Sequence, residues 1–200
     1  MLQKIKEKGH YQAFFITLAL AAVVFLPFII YDKGIFFFYG DFNVQQIPFY
    51  KLAHEAIRSG DIAWNWYTDL GANFIGSYSF YLLFSPFFWL TLPFPTEAVP
   101  FLIGPLLMLK TACAALTSYF YIKRFVKDQY YAVIGSILYA FSGFAVYNIF
   151  FNHFHEVIVF FPLLLIGVEE LVTNNRKGLF AITVAINCLV NYWFFIGEVV

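Results

Sequence analysis

Charge is what this chain has least of. Only 12% of its 200 residues are Asp, Glu, Lys or Arg, against roughly 25% in a soluble domain. Hydrophobic residues make up 62% and aromatic residues 23%, and the mean hydropathy is +0.73. Those figures exclude a soluble globular domain and imply an integral membrane protein whose partner is the lipid bilayer. The formal net charge is zero, so the chain has no polybasic footprint and no nucleic-acid partner is implied. Cysteine is scarce too. Cys113 and Cys188 fall in apolar stretches with neither disulfide nor metal spacing, and read as small buried hydrophobes. His54-Glu55 is no zincin motif, because Arg58 stands where a second His is needed. No Asp-x-Asp pair lies near Asp41, so the sequence points to no metal site or resident cofactor, and a divalent-metal requirement stays open.

What the chain does have is apolar runs of membrane length. About 20 apolar residues cross the hydrocarbon as a helix. Residues 13–30 qualify, and no small-x-small cleavage site follows them, so they read as a retained first span rather than a signal peptide. Further spans are expected at about 98–122, 130–151, 157–172 and 179–197. The stretch 78–94 is shorter and is interrupted by Pro86. Cytoplasmic loops carry excess Lys and Arg. If 78–94 does not cross, Lys4, Lys6, Lys8, Lys123, Arg124, Lys127, Arg176 and Lys177, eight of the twelve basic residues, fall on one side. The expected fold is therefore all-α, a polytopic transmembrane helical bundle. Its N-terminus is cytoplasmic, its first loop, 32–97, is outside, and 78–94 is a re-entrant or interfacial element. The last span ends at Glu198-Val199-Val200 without a polar tail, so the chain reads as the N-terminal part of something larger.

The outer loop concentrates the polar groups. Asp41 follows the first span, where a carboxylate among apolar neighbours can serve as a base. It also precedes a helical stretch and can simply cap it. Residues 44–59 read as an amphipathic interfacial helix closed by Gly60, with Gln45, Gln46, Lys51, His54, Glu55 and Arg58 on its polar side. Trp64, Asn65, Trp66 and Tyr67 bring three aromatics together. They read either as an interfacial belt or as a stacking surface for a sugar ring.

Polar residues inside the spans need partners. Lys110 faces a lipid phosphate or an acidic group, or sits in an ion pair whose partner the sequence does not name. Asn148, Asn152 and His155 share a face if their helix continues, and His153 and Glu156 flank it. The group reads as an outer polar pocket or as a solvated turn. Asn187 and Asn191 fit interhelical hydrogen bonding, and Glu169 and Glu170 fit a solvated inner helix end.

Several segments together carry a family resemblance. Gly40-Asp41, Gln45-Gln46-Ile47-Pro48-Phe49, Trp64-Asn65, Leu70-Gly71-Ala72-Asn73, Tyr139 to Phe144, Phe161-Pro162-Leu163-Leu164 and Gly167-Val168-Glu169-Glu170 resemble the YfhO family of bacterial membrane proteins. That resemblance implies a GT-C-type glycosyltransferase fold. It implies transfer of a sugar from a polyprenyl-phosphate donor to a cell-wall polymer such as lipoteichoic acid, on the outer face of the bacterial cell membrane. GT-C enzymes carry an acidic residue in the first outer loop, beside juxtamembrane helices, and Asp41 occupies that place. Family members are several times longer than this chain.

Combining the two readings, Asp41 is the expected catalytic base. Gln45, Gln46, Arg58, Trp64, Asn65, Trp66, Tyr67, Lys110, Asn152, His153, His155 and Glu156 are the expected substrate-binding residues. Within that set Arg58, Lys110, His153 and His155 are the donors available to the phosphate leaving group. The rival readings are a transporter or flippase, favoured by Lys110 and the paired asparagines but lacking an inverted repeat, and a non-catalytic membrane scaffold.

Overall fold

The computed structural model describes residues 8–199. Lys4 and Lys6, two of the basic residues used for orientation, lie outside them.

Helix α1, Gly9–Tyr31, is apolar all round. Phe15, Ile16, Leu20, Val23, Val24 and Phe28 stay exposed, while Ala13, Thr17, Ala21, Phe25 and Ile29 form its buried stripe. An apolar exposed face is what a lipid-facing helix presents. Its partner is α5, Val99–Ile122. The two run antiparallel. His10 near the start of α1 stacks on Phe120 near the end of α5, and Ile29 and Phe36 crowd Gly104 at the opposite end so closely that a β-carbon has no room there.

The chain between α1 and α5 therefore leaves and re-enters at one end of the bundle. A π-helical turn, Phe42–Gln46, leads into α2, Ile47–Ser59. Gly60 ends α2 in the left-handed conformation, φ 83°. A minimal antiparallel ladder pairs β1, Trp64–Asn65, with β2, Ala72–Asn73. Then come α3, Phe74–Tyr78, a second π-helical turn, Ser79–Leu83, and α4, Pro86–Trp89. The stretch 78–94 is thus broken at Phe84-Ser85, and the Ser85 hydroxyl caps α4 through the Phe88 amide (3.1 Å). Leu82, Leu83, Phe87 and Phe88 on either side of the break are buried.

The rest of the bundle consists of α6, Gln129–Ala140, α7, Gly143–Tyr147, α8, Phe154–Asn174, α9, Lys177–Val190, and α10, Tyr192–Val199. The helices α5 and α8 run the same way. Lys110 meets Asn152 and Glu156 at one level, and Arg124 pairs with Glu169 at another (2.6 Å) and with Glu170. Three helices among the described residues are long and apolar enough to cross a membrane: Gly9–Tyr31, Thr96–Ile122 and Gln129–Phe150.

Several expectations need correction. The helix through Asn148 does not continue to His155. Asn148–Phe150 is a 3-10 turn and a bend at Phe151 to His153 precedes α8, so Asn148, Asn152 and His155 share no helical face. The segment 179–197 is not one helix, because Asn191 turns extended and its side chain caps the Phe194 amide (3.2 Å). Glu169 and Glu170 are not simply solvated but hold Arg124, with Arg176 3.3 Å from Glu170. Cys113 is half-buried and Cys188 exposed, both as free thiols, rather than both buried. Asn187 meets its expectation, donating across to the Phe160 carbonyl of α8 (3.3 Å).

Candidate functional site

Asp41 does not cap a helix by its side chain. Its backbone is already helical and its carboxylate takes no cap hydrogen bond, because the π-helical turn starts directly after it. The half-buried carboxylate makes no hydrogen bond or ion pair among the described residues. Its position is nonetheless fixed. Gly40 lies against the Phe150 ring, and the Tyr39 ring packs on the same phenyl with centroids 5.0 Å apart. The Tyr81 phenol has its pKa raised, first by burial and then by the negative charge of Asp41. Tyr81 is in turn an edge-on neighbour of His153, with ring centroids 5.1 Å apart.

His153 is the link between the first loop and the α7–α8 bend. Its Nδ1 lies 3.1 Å from Gln46 Oε1. The amide nitrogen of Gln46 donates to Gln45 Oε1 (3.1 Å), which points the Gln46 oxygen at the imidazole. The proton therefore sits on His153 Nδ1, and Nε2 carries the lone pair. That Nε2 is buried without a hydrogen-bond partner among the described residues. Burial, then the charge of Lys110, lowers the pKa of this imidazole to about 3, so it is neutral at pH 7. Phe80, Tyr81, Phe151 and Phe154 wall it in.

Deeper in the bundle, Lys110 finds the partner that sequence reasoning missed. Its Nζ lies 2.8 Å from Glu156 Oε1, and it donates to both the backbone oxygen and Oδ1 of Asn152 at 3.1 Å. Ser85, at the break in 78–94, donates to the same Glu156 oxygen, and the Phe87 ring lies under the ammonium at 5.6 Å. The buried Tyr50 hydroxyl of α2 faces this cluster, where burial raises its pKa and Lys110 opposes the shift. The pair is separated by 46 residues and the Ser85 contact by 71, distances at which periodicity carries no signal.

The other expected residues divide. Arg58 donates to the Phe94 carbonyl (2.6 Å), and His54 Nε2 donates to the Thr91 carbonyl (3.2 Å) while its Nδ1 accepts from the Thr96 hydroxyl (3.0 Å). Both fasten α2 to the chain entering α5 and are not brought to Asp41. Asn65 is buried and spends its oxygen on the Tyr67 amide (2.9 Å) and the Thr68 hydroxyl (3.3 Å), holding the turn that presents Tyr67. Trp66 is 72% and Tyr67 87% exposed, and Trp64 packs edge-on to Trp66 at 5.9 Å. His155 is buried in α8 with Nε2 unpartnered. No group of three His, Cys, Asp or Glu able to hold a metal occurs among the described residues.

Two clefts adjoin the site. One of about 650 Å³ runs along α2, between Lys51, Leu52 and Glu55 on one side and Asp61, Asn65 and Tyr67 on the other. A second of about 390 Å³ is lined by Phe49, Asp69, Ser77 and Tyr81. Both are also lined by Pro48, Leu52 and Tyr67, so they share a wall, and Tyr81 of the second is the ring neighbour of His153.

The model of the bacterial membrane protein YfhO family matches residues 13–195. The chain belongs to the YfhO family. No curated protein and no solved structure matches it. Family membership and the three apolar helices make it a bacterial membrane protein with transmembrane helices. The matched region takes in the first loop, the Lys110–Glu156 cluster and the His153 bend together.

Proposed function

We propose that this YfhO-family chain belongs to a GT-C-type membrane glycosyltransferase that transfers a sugar from a polyprenyl-phosphate donor to a cell-wall polymer outside the cytoplasm. The observation that carries the reading is the Asp41 carboxylate, unpaired among the described residues. It is held at the loop end of the bundle, where its charge acts on Tyr81, which lines the neighbouring cleft and packs edge-on to His153. A carboxylate without a partner, within reach of solvent, can take the proton of an acceptor hydroxyl as its oxygen attacks the anomeric carbon. The lipid phosphate departs with the bonding electron pair.

Orientation supports the same side. Lys123 to Lys127 and Arg176-Lys177 follow the ends of α5 and α8, which Arg124 ties together, and Lys8 opens α1 at that end. The positive-inside rule puts that end in the cytoplasm and the clefts outside. The chain is then multi-pass, with 78–94 dipping in at Ser85 and returning.

Among the donors considered for the phosphate, Lys110 is already neutralised by Glu156, and His153 offers a lone pair on Nε2 rather than a proton. Lys110 had favoured a transporter, and its full set of partners removes that support. Replacing Asp41→Asn in the intact protein, at normal expression, is expected to abolish cell-wall glycosylation, with Asp41→Glu retaining part of it. Unchanged glycosylation in Asp41→Asn overturns the proposal.

A further inference from the structure

One carboxylate inside the apolar part of the bundle has no counterpart there. Both side-chain oxygens of Glu198 are buried, and neither has a hydrogen-bond partner among the described residues. The break at Asn191 puts it in that place. The chain turns extended and α10 folds back along α8. Tyr192 packs on Phe80 (5.3 Å), Phe194 on Phe154 (4.6 Å), and Glu198 then comes to the level of Phe161. Phe161 lies about 10 Å along α8 from its first residue. Two cavities, of about 400 Å³ and about 300 Å³, border the Glu198 side chain, and Phe161 lines both. The first adds Val157, Ile158 and Phe194, the second Leu164, Leu165 and Val168. Tyr139 and Ser142 in the first are already engaged. The phenol donates to the Ile158 carbonyl (2.9 Å), and the Ser142 hydroxyl caps α7. Gly197 also lines the first cavity, with open space where a β-carbon would stand.

We infer that the face around Glu198 seats one further transmembrane helix, from outside these 200 residues, and that this helix carries a lysine or arginine at the depth of Glu198. Charge complementarity selects the occupant. A lipid tail would cover the apolar walls but leave the carboxylate in hydrocarbon without a donor, and membrane proteins pair such groups. A lipid ammonium is held at the headgroup level. A second copy of this chain offers no cation at that depth. Within α1, α5, α6, α7, α8 and α10, Lys110 is the only Lys or Arg among the described residues, and Glu156 holds it. A helix bearing Lys or Arg answers both features of the face. Its cation reaches the two oxygens, and Gly197 lets the backbones approach closely, as small residues do between membrane helices. The fold already uses the same device once, where Lys110 of α5 is laid against Glu156 of α8. Docking of this kind stands apart from any sugar transfer.

The test is photo-crosslinking in native membranes, with Phe161 replaced by p-benzoylphenylalanine in the intact protein and Glu198 left in place. The expected product joins position 161 to an apolar segment of membrane length that contains a Lys or Arg, read by peptide mass spectrometry. A link within the polypeptide and a link to a partner protein both support the inference, and the gain in mass tells them apart. Glu198→Gln is expected to lower the yield about fivefold, the order of one interhelical polar contact, and Glu198→Asp to retain most of it. Replacing the basic residue so found by Gln is expected to lower the yield alike. Asp41→Asn is expected to leave it unchanged, so a failed base assignment does not touch this result. Attachment to lipid alone, to a second copy of this chain, or to a helix without Lys or Arg overturns the inference. So does the absence of any product, or a yield indifferent to Glu198→Gln.

Discussion

Lys110 Nζ lies 2.8 Å from Glu156 Oε1 with both side chains closed to solvent, and around that contact four separate segments meet. The helices α5 and α8 supply the charges, the Phe151–His153 bend supplies Asn152, and the break in 78–94 supplies Ser85. The cluster fixes the bend that carries His153, and through Gln46 it fixes the turn that carries Asp41. Removing one partner of a buried pair strands the other and costs about 3–5 kcal/mol. Lys110→Met alone, and Glu156→Leu alone, are each expected to lower the melting temperature sharply in detergent. The double variant is expected to recover much of the loss. Additive losses in a double-mutant cycle would deny the coupling.

The Arg124 pair at the opposite end of the bundle is a different case. Arg124 and Glu169 are 29% and 27% exposed, and exposed pairs contribute about 0.2–1 kcal/mol, screened by salt. Arg124→Ala is expected to cost about 1 kcal/mol, because Glu170, 7% exposed, keeps Arg176 and Asn174 as partners. Raising the ionic strength is expected to shrink the difference from the unmodified protein, whereas the Lys110→Met deficit stays nearly constant.

His153 gives the fold an acid sensitivity with a definite sign. Its folded pKa, about 3, lies below the ordinary imidazole value of 6.5. Between those values the unfolded chain binds the proton that the folded one refuses, so stability falls as the pH drops from about 6.5 toward 3. Melting temperatures recorded from pH 7 to pH 4 are expected to fall further in the unmodified protein than in His153→Asn. Parallel curves would contradict the assignment.

Gly40 is the hinge on which Asp41 hangs. Its φ is +55°, and a β-carbon there would strike the Phe150 ring. Left-handed backbone costs an L residue about 1–2 kcal/mol. Gly40→Ala is expected to lose at least that much stability, together with glycosylation. Adding Phe150→Ala is expected to relieve the collision but not the backbone cost, so recovery is partial.

The long helices were legible where apolar length alone decides. Expected 98–122 stands against observed Val99–Ile122, and 13–30 against Gly9–Tyr31. Hydropathy did not show where a helix breaks inside an apolar run. Ser142 caps α7 through the Ala145 amide and Asn191 caps α10, and each is one small polar residue in a stretch that stays apolar on either side. The site was legible as composition but not as geometry. Asp41, Gln46 and His153 stood out as polar residues in an oily chain, yet the Gln46–His153 hydrogen bond spans 107 positions. Arg58 looked like a binding residue because it is a cation in the outer loop, and His54 like part of a solvated helix face. They serve as clasps, because the neighbouring turn exposes backbone carbonyls that need donors.

Side-specific labelling of single cysteines tests most directly that the clefts and Asp41 face away from the cytoplasm. Cys113 and Cys188 are first replaced by alanine, and Leu70→Cys, 97% exposed in the loop, is compared with Lys127→Cys, exposed beyond α5. The expected result is rapid reaction of Leu70→Cys with a membrane-impermeant maleimide in intact cells, and reaction of Lys127→Cys only after permeabilisation. Labelling of Lys127→Cys from outside, with Leu70→Cys protected until the membrane is opened, would place the Asp41 carboxylate in the cytoplasm and contradict the proposed chemistry.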